Sequence, residues 1–271
     1  VTEKPLKKIR TSTLSDLKAA GEKFACLTSY DHLTAGIFDE AGIEVLLVGD
    51  SAADNALGYT STLPITVSEM IPFARAVASA AKHSLVVVDM PFGSYEVSTE
   101  QALENGIRIL KESGAHAVKL EGGARVIGAI EALTAAGVPV MAHLGFTPQS
   151  VNQLGGFKVQ GRGDKAKQLI EDAVAVQDAG AFALVLELVP SPLATEVTDA
   201  LRIPTIGIGA GNGTDGQILV WTDFAGLTSQ KPRKFVRSYA TLRGDLSDAA
   251  SRYRQDIQSG NFPSAEESFS D

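Results

Sequence analysis

Acids, a lysine and a histidine close several of the apolar runs in this chain. Asp50-Ser51 follows Leu46-Leu47-Val48-Gly49, and Asp89 follows Leu85–Val88. Lys119-Leu120-Glu121 ends the run from Ala117, His143 ends the run from Val138, and Glu187 ends Ala183–Leu186. Burying a carboxylate at such a place is costly unless it has a partner or a task. If these ends met, the like charges would raise each other's pKa and oppose ionisation. A divalent cation removes that conflict, and an all-oxygen ligand set suits Mg²⁺. Zinc normally recruits cysteine or histidine, and the chain has one Cys and four scattered His.

Each of these residues also has a plain structural reading. Asp50 after Gly49 fits a turn or helix cap, and Asp89 before Met90-Pro91 fits a turn. Glu121 before Gly122-Gly123 fits a solvated loop acid, and Lys119 fits a surface pair with Glu121. His143 fits a satisfied residue at a strand end. Glu187 is the hardest to explain structurally, because four apolar residues precede it. Their joint placement is what favours a site.

The elements that must position them are short apolar runs alternating with longer helical patterns. Strands are expected at Phe24–Ser29, Glu44–Gly49, Leu85–Asp89, Ala117–Glu121, Val138–His143, Phe182–Glu187 and Thr205–Ile208, with a weaker eighth at Ile218–Trp221. Near-continuous apolar runs are the mark of buried parallel strands. Thr66-Val67-Ser68-Glu69 and Ser98-Thr99-Glu100-Gln101 read as capping boxes that start helices. Gly42, Gly114, Gly137 and Gly180 each precede a strand and read as left-handed helix stops.

Repeated strand–helix–Gly–strand units imply right-handed crossovers and a parallel sheet. Eight units predict an α/β fold, a (βα)₈ TIM barrel, as a single catalytic domain over residues 1–271 with a short N-terminal arm and a C-terminal tail. An open doubly wound sheet is the alternative. In a barrel the C-terminal strand ends form the active rim. Period-two alternation would place Leu46, Val48 and Asp50 on one face. It groups Leu85, Val87 and Asp89 likewise, as it does Ala117, Lys119 and Glu121, and Ala183, Val185 and Glu187. The Gly- and Gln-rich stretch 145–163 is long for a βα loop, and such loops are often functional. Gly207–Gly213 follows the seventh strand, where barrels often bind phosphate; tight backbone packing explains it equally well, and its spacing is not the dinucleotide fingerprint.

Net charge is −8, which disfavours nucleic acid and anionic lipid as partners. Lys4, Lys7, Lys8 and Arg10 read as a solvated arm. Cys26 is the sole cysteine and lies in an apolar run; it reads as a buried strand residue, and a chain with no intramolecular disulfide suits a reducing compartment. No apolar stretch follows the basic arm, and no apolar run approaches the roughly 20 residues of a membrane span. The expectation is a soluble, cytoplasmic protein.

At these residues the sequence resembles the ketopantoate hydroxymethyltransferase family. The matching segments include Thr28-Ser29-Tyr30-Asp31, Leu47–Ser51, Ser61-Thr62-Leu63-Pro64 and Val118–Gly123. They continue through His143–Ser150, Val159–Gly163, Gly207–Gly211, Phe262-Pro263 and Glu267-Ser268-Phe269. The resemblance implies a barrel similar to metal-dependent enolate enzymes of the phosphoenolpyruvate mutase and isocitrate lyase type. It implies Mg²⁺ among Asp50, Asp89 and Glu121, and contacts from Asp50, Ser51, Asp89 and Lys119 to a 2-oxo acid, with His143 near the pocket. It implies Glu187 as proton acceptor. The implied substrates are 3-methyl-2-oxobutanoate and 5,10-methylenetetrahydrofolate, the product is 2-dehydropantoate, and the implied assembly is a homo-oligomer, typically a decamer. Trp221-Thr222-Asp223 departs from the family pattern in its middle residue. The competing readings are a carbon–carbon lyase or aldolase of the same barrel type that needs no folate, and a catalytically silent barrel. Joint retention of Asp50, Asp89, Lys119, Glu121 and Glu187 argues against the second.

Overall fold

Eight apolar runs become eight parallel strands in the computed structural model, which describes residues 6–229 and 231–269. They are β1 (Phe24–Thr28), β2 (Val45–Val48), β3 (Leu85–Asp89), β4 (Ala117–Glu121), β5 (Val140–Gly145), β6 (Ala183–Glu187), β7 (Thr205–Ile208) and β8 (Gly216–Leu219). Each pairs with the next in sequence, and β8 pairs back on β1, so the sheet closes into a barrel. The helices are α1 (Thr11–Ala20), α2 (His32–Glu40), α3 (Ala52–Asn55), α4 (Val67–Ala80), α5 (Thr99–Ser113), α6 (Ile127–Ala135), α7 (Val151–Leu154), α8 (Lys165–Asp178), α9 (Ser191–Ala200), α10 (Trp221–Phe224) and α11 (Leu242–Ser259).

The expected helix signals are present. Thr66 Oγ1 accepts from Glu69 N, and Glu69 Oε2 accepts from Thr66 N, so α4 starts on a full capping box. At α5 only half forms: Ser98 caps Gln101 N, but the Gln101 side chain takes the N–H of Val97 instead. The four helix-stop glycines all have φ between +77° and +104°, a region costly for a residue bearing Cβ.

The barrel interior is a cluster of Phe24, Cys26, Val45, Leu47, Leu85, Val87, Ala117, Met141, Ala183, Val185, Ile206 and Ile218. This corrects the expected face of the second strand. Val45 and Leu47 point inward, so Leu46 and Val48 face the helices. Asp50 lies beyond the strand, in the turn that leads into α3, and it is the turn rather than the pleat that delivers it to the site. The eighth strand is also corrected. It spans Gly216–Leu219, and Trp221 starts a helix; Gly216 and Gln217 hide it, because neither carries the apolar signature of a buried strand.

Ile9 and Leu14 belong to the same interior cluster, with Leu17 packed against it. Together with α1 they close the N-terminal end of the barrel. The expected solvated arm is therefore tied down in part. Ile9 N donates to His83 O, and Lys8 Nζ reaches Ala81 O and Ser84 O at 3.3 and 2.8 Å. Lys7 and Arg10 are exposed, and Lys4 lies outside the described residues. Among the described residues no helix is long and apolar enough to cross a membrane.

Contacts divide the chain into two units, residues 1–220 and 221–271. The first holds all eight strands. The second holds α10 and α11, with Phe224 stacked on Tyr239 and Tyr253 edge-on to Phe262.

Candidate active site

Strand register sets the level at which each polar group leaves the barrel. Asp89 pairs in register with Lys119, Glu121 with His143, and Gly145 with Glu187. Asp89, Lys119, Glu121, His143 and Glu187 continue the inward rows that begin at Val87, Ala117, Met141 and Val185, so they form the layer above the apolar interior. All five are buried, as is Asp50.

Lys119 stands among the acids. Its Nζ lies 3.0 Å from Asp89 Oδ1 and 3.6 Å from Glu121 Oε1, and 3.2 Å from His143 Nδ1. This is no surface pair. Burial presses the ammonium pKa down, but the charges of Asp89, Glu121 and Asp50 overcome it and hold Lys119 protonated, above its ordinary value. Burial would raise Glu121, yet Lys119, His143 and the Gln149 N–H draw it below the usual carboxylate range. Asp50 goes the other way. Burial and the neighbouring Asp89 and Glu121 charges push its carboxyl well above its ordinary value, against Lys119 and a Gln149 hydrogen bond. Three carboxylates thus share one ammonium, and Asp50 bears the excess.

His143 bridges this cluster to Glu187. Nδ1 is 3.3 Å from Glu121 Oε1, and Nε2 is 3.4 Å from Glu187 Oε2. Burial and Lys119 depress the imidazole pKa, but the two glutamates outweigh them and raise it. The Glu187 backbone is fixed on both sides. Its carbonyl accepts from Phe146 N, and a Cβ on Gly145 would fall 2.2 Å from that carbonyl oxygen. Leu188 follows with φ of 48°, a strained left-handed turn, held by Leu188 N to Ile208 O and Gln160 N to Leu188 O.

The structure therefore brings Asp50, Asp89, Lys119, Glu121, His143 and Glu187 into one mouth. Ser51 stands at its edge, with its Oγ 2.7 Å from Tyr30 Oη. Three residues with no role in the sequence analysis join them. Tyr30, Tyr95 and Gln149 are buried, and all three bond to site residues. The stretch 145–163, which contains Gln149, is ordered into a short 3₁₀ turn (Pro148–Ser150) and α7. The Gly207–Gly213 segment is a close-packing device: a Cβ at Gly211 would meet Ser191 Oγ at 2.0 Å, and one at Gly213 would meet Thr195 Oγ1 at 2.0 Å.

The donor set suits a hard cation. Asp50 and Asp89 offer carboxylate oxygens, and Asp50 N–H donates to Asp89 Oδ2 at 3.0 Å, which ties the two together. Among the described residues no three His, Cys, Asp or Glu groups converge into a complete protein cage. Mg²⁺ does not need one; it usually binds one or two carboxylates and completes its shell with water and substrate oxygens. Both oxygens of Glu121 already face protein groups, Oε1 His143 and Lys119, Oε2 the Gln149 N–H.

Comparison with known proteins places the whole chain rather than single residues. A curated relative from Mycobacterium sp. (strain KMS), named 3-methyl-2-oxobutanoate hydroxymethyltransferase, is 59% identical over 268 residues, 99% of this chain and 95% of the relative. Among solved structures, phosphonopyruvate hydrolase in complex with oxalate and Mg²⁺ aligns with a TM-score of 0.62 at 14% identity, covering 96% of this chain and 93% of that one. The 2,3-dimethylmalate lyase of the phosphoenolpyruvate mutase/isocitrate lyase superfamily aligns with a TM-score of 0.59 at 16% identity, over 96% and 91%. These likenesses show the barrel type alone. The family model for ketopantoate hydroxymethyltransferase matches residues 8–265, and the chain belongs to that family of one-carbon transferases.

Proposed function

We propose that the chain transfers a hydroxymethyl group from 5,10-methylenetetrahydrofolate to 3-methyl-2-oxobutanoate, giving 2-dehydropantoate through an enolate. The observation that carries the reading is a division among the buried acids. Asp50, Asp89 and Glu121 share Lys119, while Glu187 stands apart on the far side of the His143 ring. One set is suited to bind charge, and the remaining carboxylate to move a proton.

Asp50 and Asp89 would hold Mg²⁺, with Glu121 behind them. Bound there, the cation supplies Lewis acidity to the keto oxygen and orients the oxo acid. The Lys119 ammonium offsets the substrate carboxylate, and Ser51 Oγ, fixed by Tyr30, offers it a hydrogen bond. Glu187 takes the proton from C3, and the electron pair passes to the keto oxygen as an enolate. Water opens the donor's two carbon–nitrogen bonds, its hydrogens going to the nitrogens and its oxygen to the methylene carbon as a formaldehyde carbonyl. The C3 carbon attacks that carbonyl carbon, and the proton held by Glu187 passes to the new alkoxide. Tetrahydrofolate leaves.

Magnitudes show why a base alone is insufficient. A positioned base gives roughly 10²- to 10⁴-fold, whereas enzymes usually reach about 10⁶-fold or more. The rest must come from fixed charges that stabilise the enolate oxygen, and the acid–lysine cluster is built for that.

The test is formation of 2-dehydropantoate from the oxo acid, methylenetetrahydrofolate and Mg²⁺, with EDTA and folate-free controls. Product that requires all three supports the proposal. Carbon–carbon cleavage without folate, or turnover unaffected by EDTA, overturns it.

A further inference from the structure

Gln149 is buried, and both of its amide hydrogens are committed. Nε2 donates to Asp50 Oδ2 and to Met90 O, each at 3.0 Å. Oε1 accepts from Tyr95 Oη. The backbone N–H donates to Glu121 Oε2 at 3.0 Å. One residue of the β5 loop thus holds groups at the ends of β2, β3 and β4.

The direction of the chain is fixed. Met90 O can only accept, so the amide nitrogen must face it. Gln149 Oε1 can only accept, so Tyr95 Oη donates to it; the hydroxyl receives the Glu121 N–H at 3.2 Å, and its other acceptor, Glu121 O, is farther at 3.4 Å. Gln149 therefore points its NH₂ at Asp50 and cannot flip without losing two bonds. The other Asp50 oxygen takes no hydrogen bond from the described residues.

We propose that Gln149, oriented by Tyr95, is a positioning residue that aims Asp50 at the cation and the 2-oxo acid without setting a second positive charge beside it. The inference rests on the metal reading given above. A lysine or arginine at this place would orient Asp50 as well, but would cancel the negative charge the cation needs. A neutral amide orients without neutralising. The same residue fixes Glu121 through its main chain, so Asp50 and Glu121 are set by one support. Partners behind metal ligands typically change metal affinity about 10- to 100-fold when removed.

The test uses the full chain and Mn²⁺ as a paramagnetic probe, titrated with 3-methyl-2-oxobutanoate present, well below the melting temperature of each variant. Gln149→Leu is expected to bind Mn²⁺ about 10- to 100-fold more weakly. Tyr95→Phe, which removes only the hydroxyl that orients the amide, should weaken it in the same direction by less. Should Gln149→Leu fail to fold, Tyr95→Phe carries the test. A merely structural role lowers the melting temperature of both variants and leaves Mn²⁺ affinity unchanged, and that result overturns the inference. Asp89→Ala separates the two levels. If wild type binds no Mn²⁺, or Asp89→Ala binds it equally well, the metal reading falls and this inference falls with it.

Discussion

At the N-terminal end of the barrel Asp39 receives four donors, from Lys82 N, His83 N, Ser84 N and Ser84 Oγ, whereas at the C-terminal end three acids share Lys119. Asp215 is treated like Asp39. It takes Lys18 Nζ at 2.9 Å and Thr205 N at 2.8 Å, and Thr205 Oγ1 pairs with Thr198. Both ends bury carboxylates. One end matches acceptors to donors and holds the strand starts in place. The other leaves charge in excess and positions it, and that imbalance distinguishes a site from a staple.

The largest effect expected of a single change is at Asp89. Asp89→Ala removes the acceptor of Asp50 N–H and the nearest counter-charge of Lys119, and is expected to abolish Mg²⁺-dependent binding of the oxo acid. Calorimetric titration with and without the metal checks this; a wild-type isotherm would sink the metal role. Glu187→Gln should keep that binding but lower kcat by about 10²- to 10⁴-fold, with deuterium exchange at C3 of the substrate slowed in step. Unslowed exchange would remove Glu187 from the base role.

Changes at the other end should cost stability and spare chemistry. Asp39→Ala leaves several donors without an acceptor, two of them on buried residues, and should destabilise the fold by roughly 3 kcal/mol, with activity per folded molecule unchanged. Hydrogen bonds hold the Asp39 carboxyl below its ordinary pKa, against its burial. Its contribution is therefore present above the unfolded pKa and lost as pH falls through the folded one. The gap between wild type and variant in urea unfolding should shrink in acid; a gap that persists there counts against the assignment.

The smallest effect concerns His116, whose Nδ1 accepts from Val86 N at 2.9 Å. Burial, with Lys8 and Arg10 nearby, lowers its pKa to about 4. Between that value and the unfolded pKa of about 6.5 the unfolded chain binds the extra proton, so stability rises with pH across the window and is level above it. His116→Asn keeps an acceptor and should remove about 1 kcal/mol of the stability gained across this window, a figure kept small because water reaches part of the ring and screens it. Identical slopes between pH 5 and 7.5 would contradict this.

How much of this was legible follows from the kind of signal each residue leaves. β3, β4 and β7 are bounded as the sequence implies, because β-branched and aliphatic residues dominate each run and the charged residues of β3 and β4 lie toward the C-terminal rim. β8 is not, since Gly216 and Gln217 break that pattern. Asp50 was identified as a site residue on the wrong geometry: alternation from Leu46 and Val48 suggests an inward row, but the inward row is Val45 and Leu47, and a turn reverses the parity. Gln149, Tyr95 and Tyr30 leave no periodic trace at all. Gln149 lies in a long loop and inside the family-matching segment His143–Ser150, but neither signal says what it does. Hydrogen-bond direction, which gives these residues their role, is a property of folded neighbours and has no pattern along a chain.

The plug formed by Ile9, Leu14 and Leu17 has a kinetic corollary. Side chains fill the barrel and this plug covers its N-terminal end, so reactants reach the acids and Lys119 from the C-terminal rim. On the proposed reaction the small oxo acid would lie against Lys119 and the acids, with the bulky one-carbon donor nearer the rim. That stacking predicts an order of binding and release, keto acid in first, donor second, and the spent donor out before the product, which product-inhibition kinetics would check.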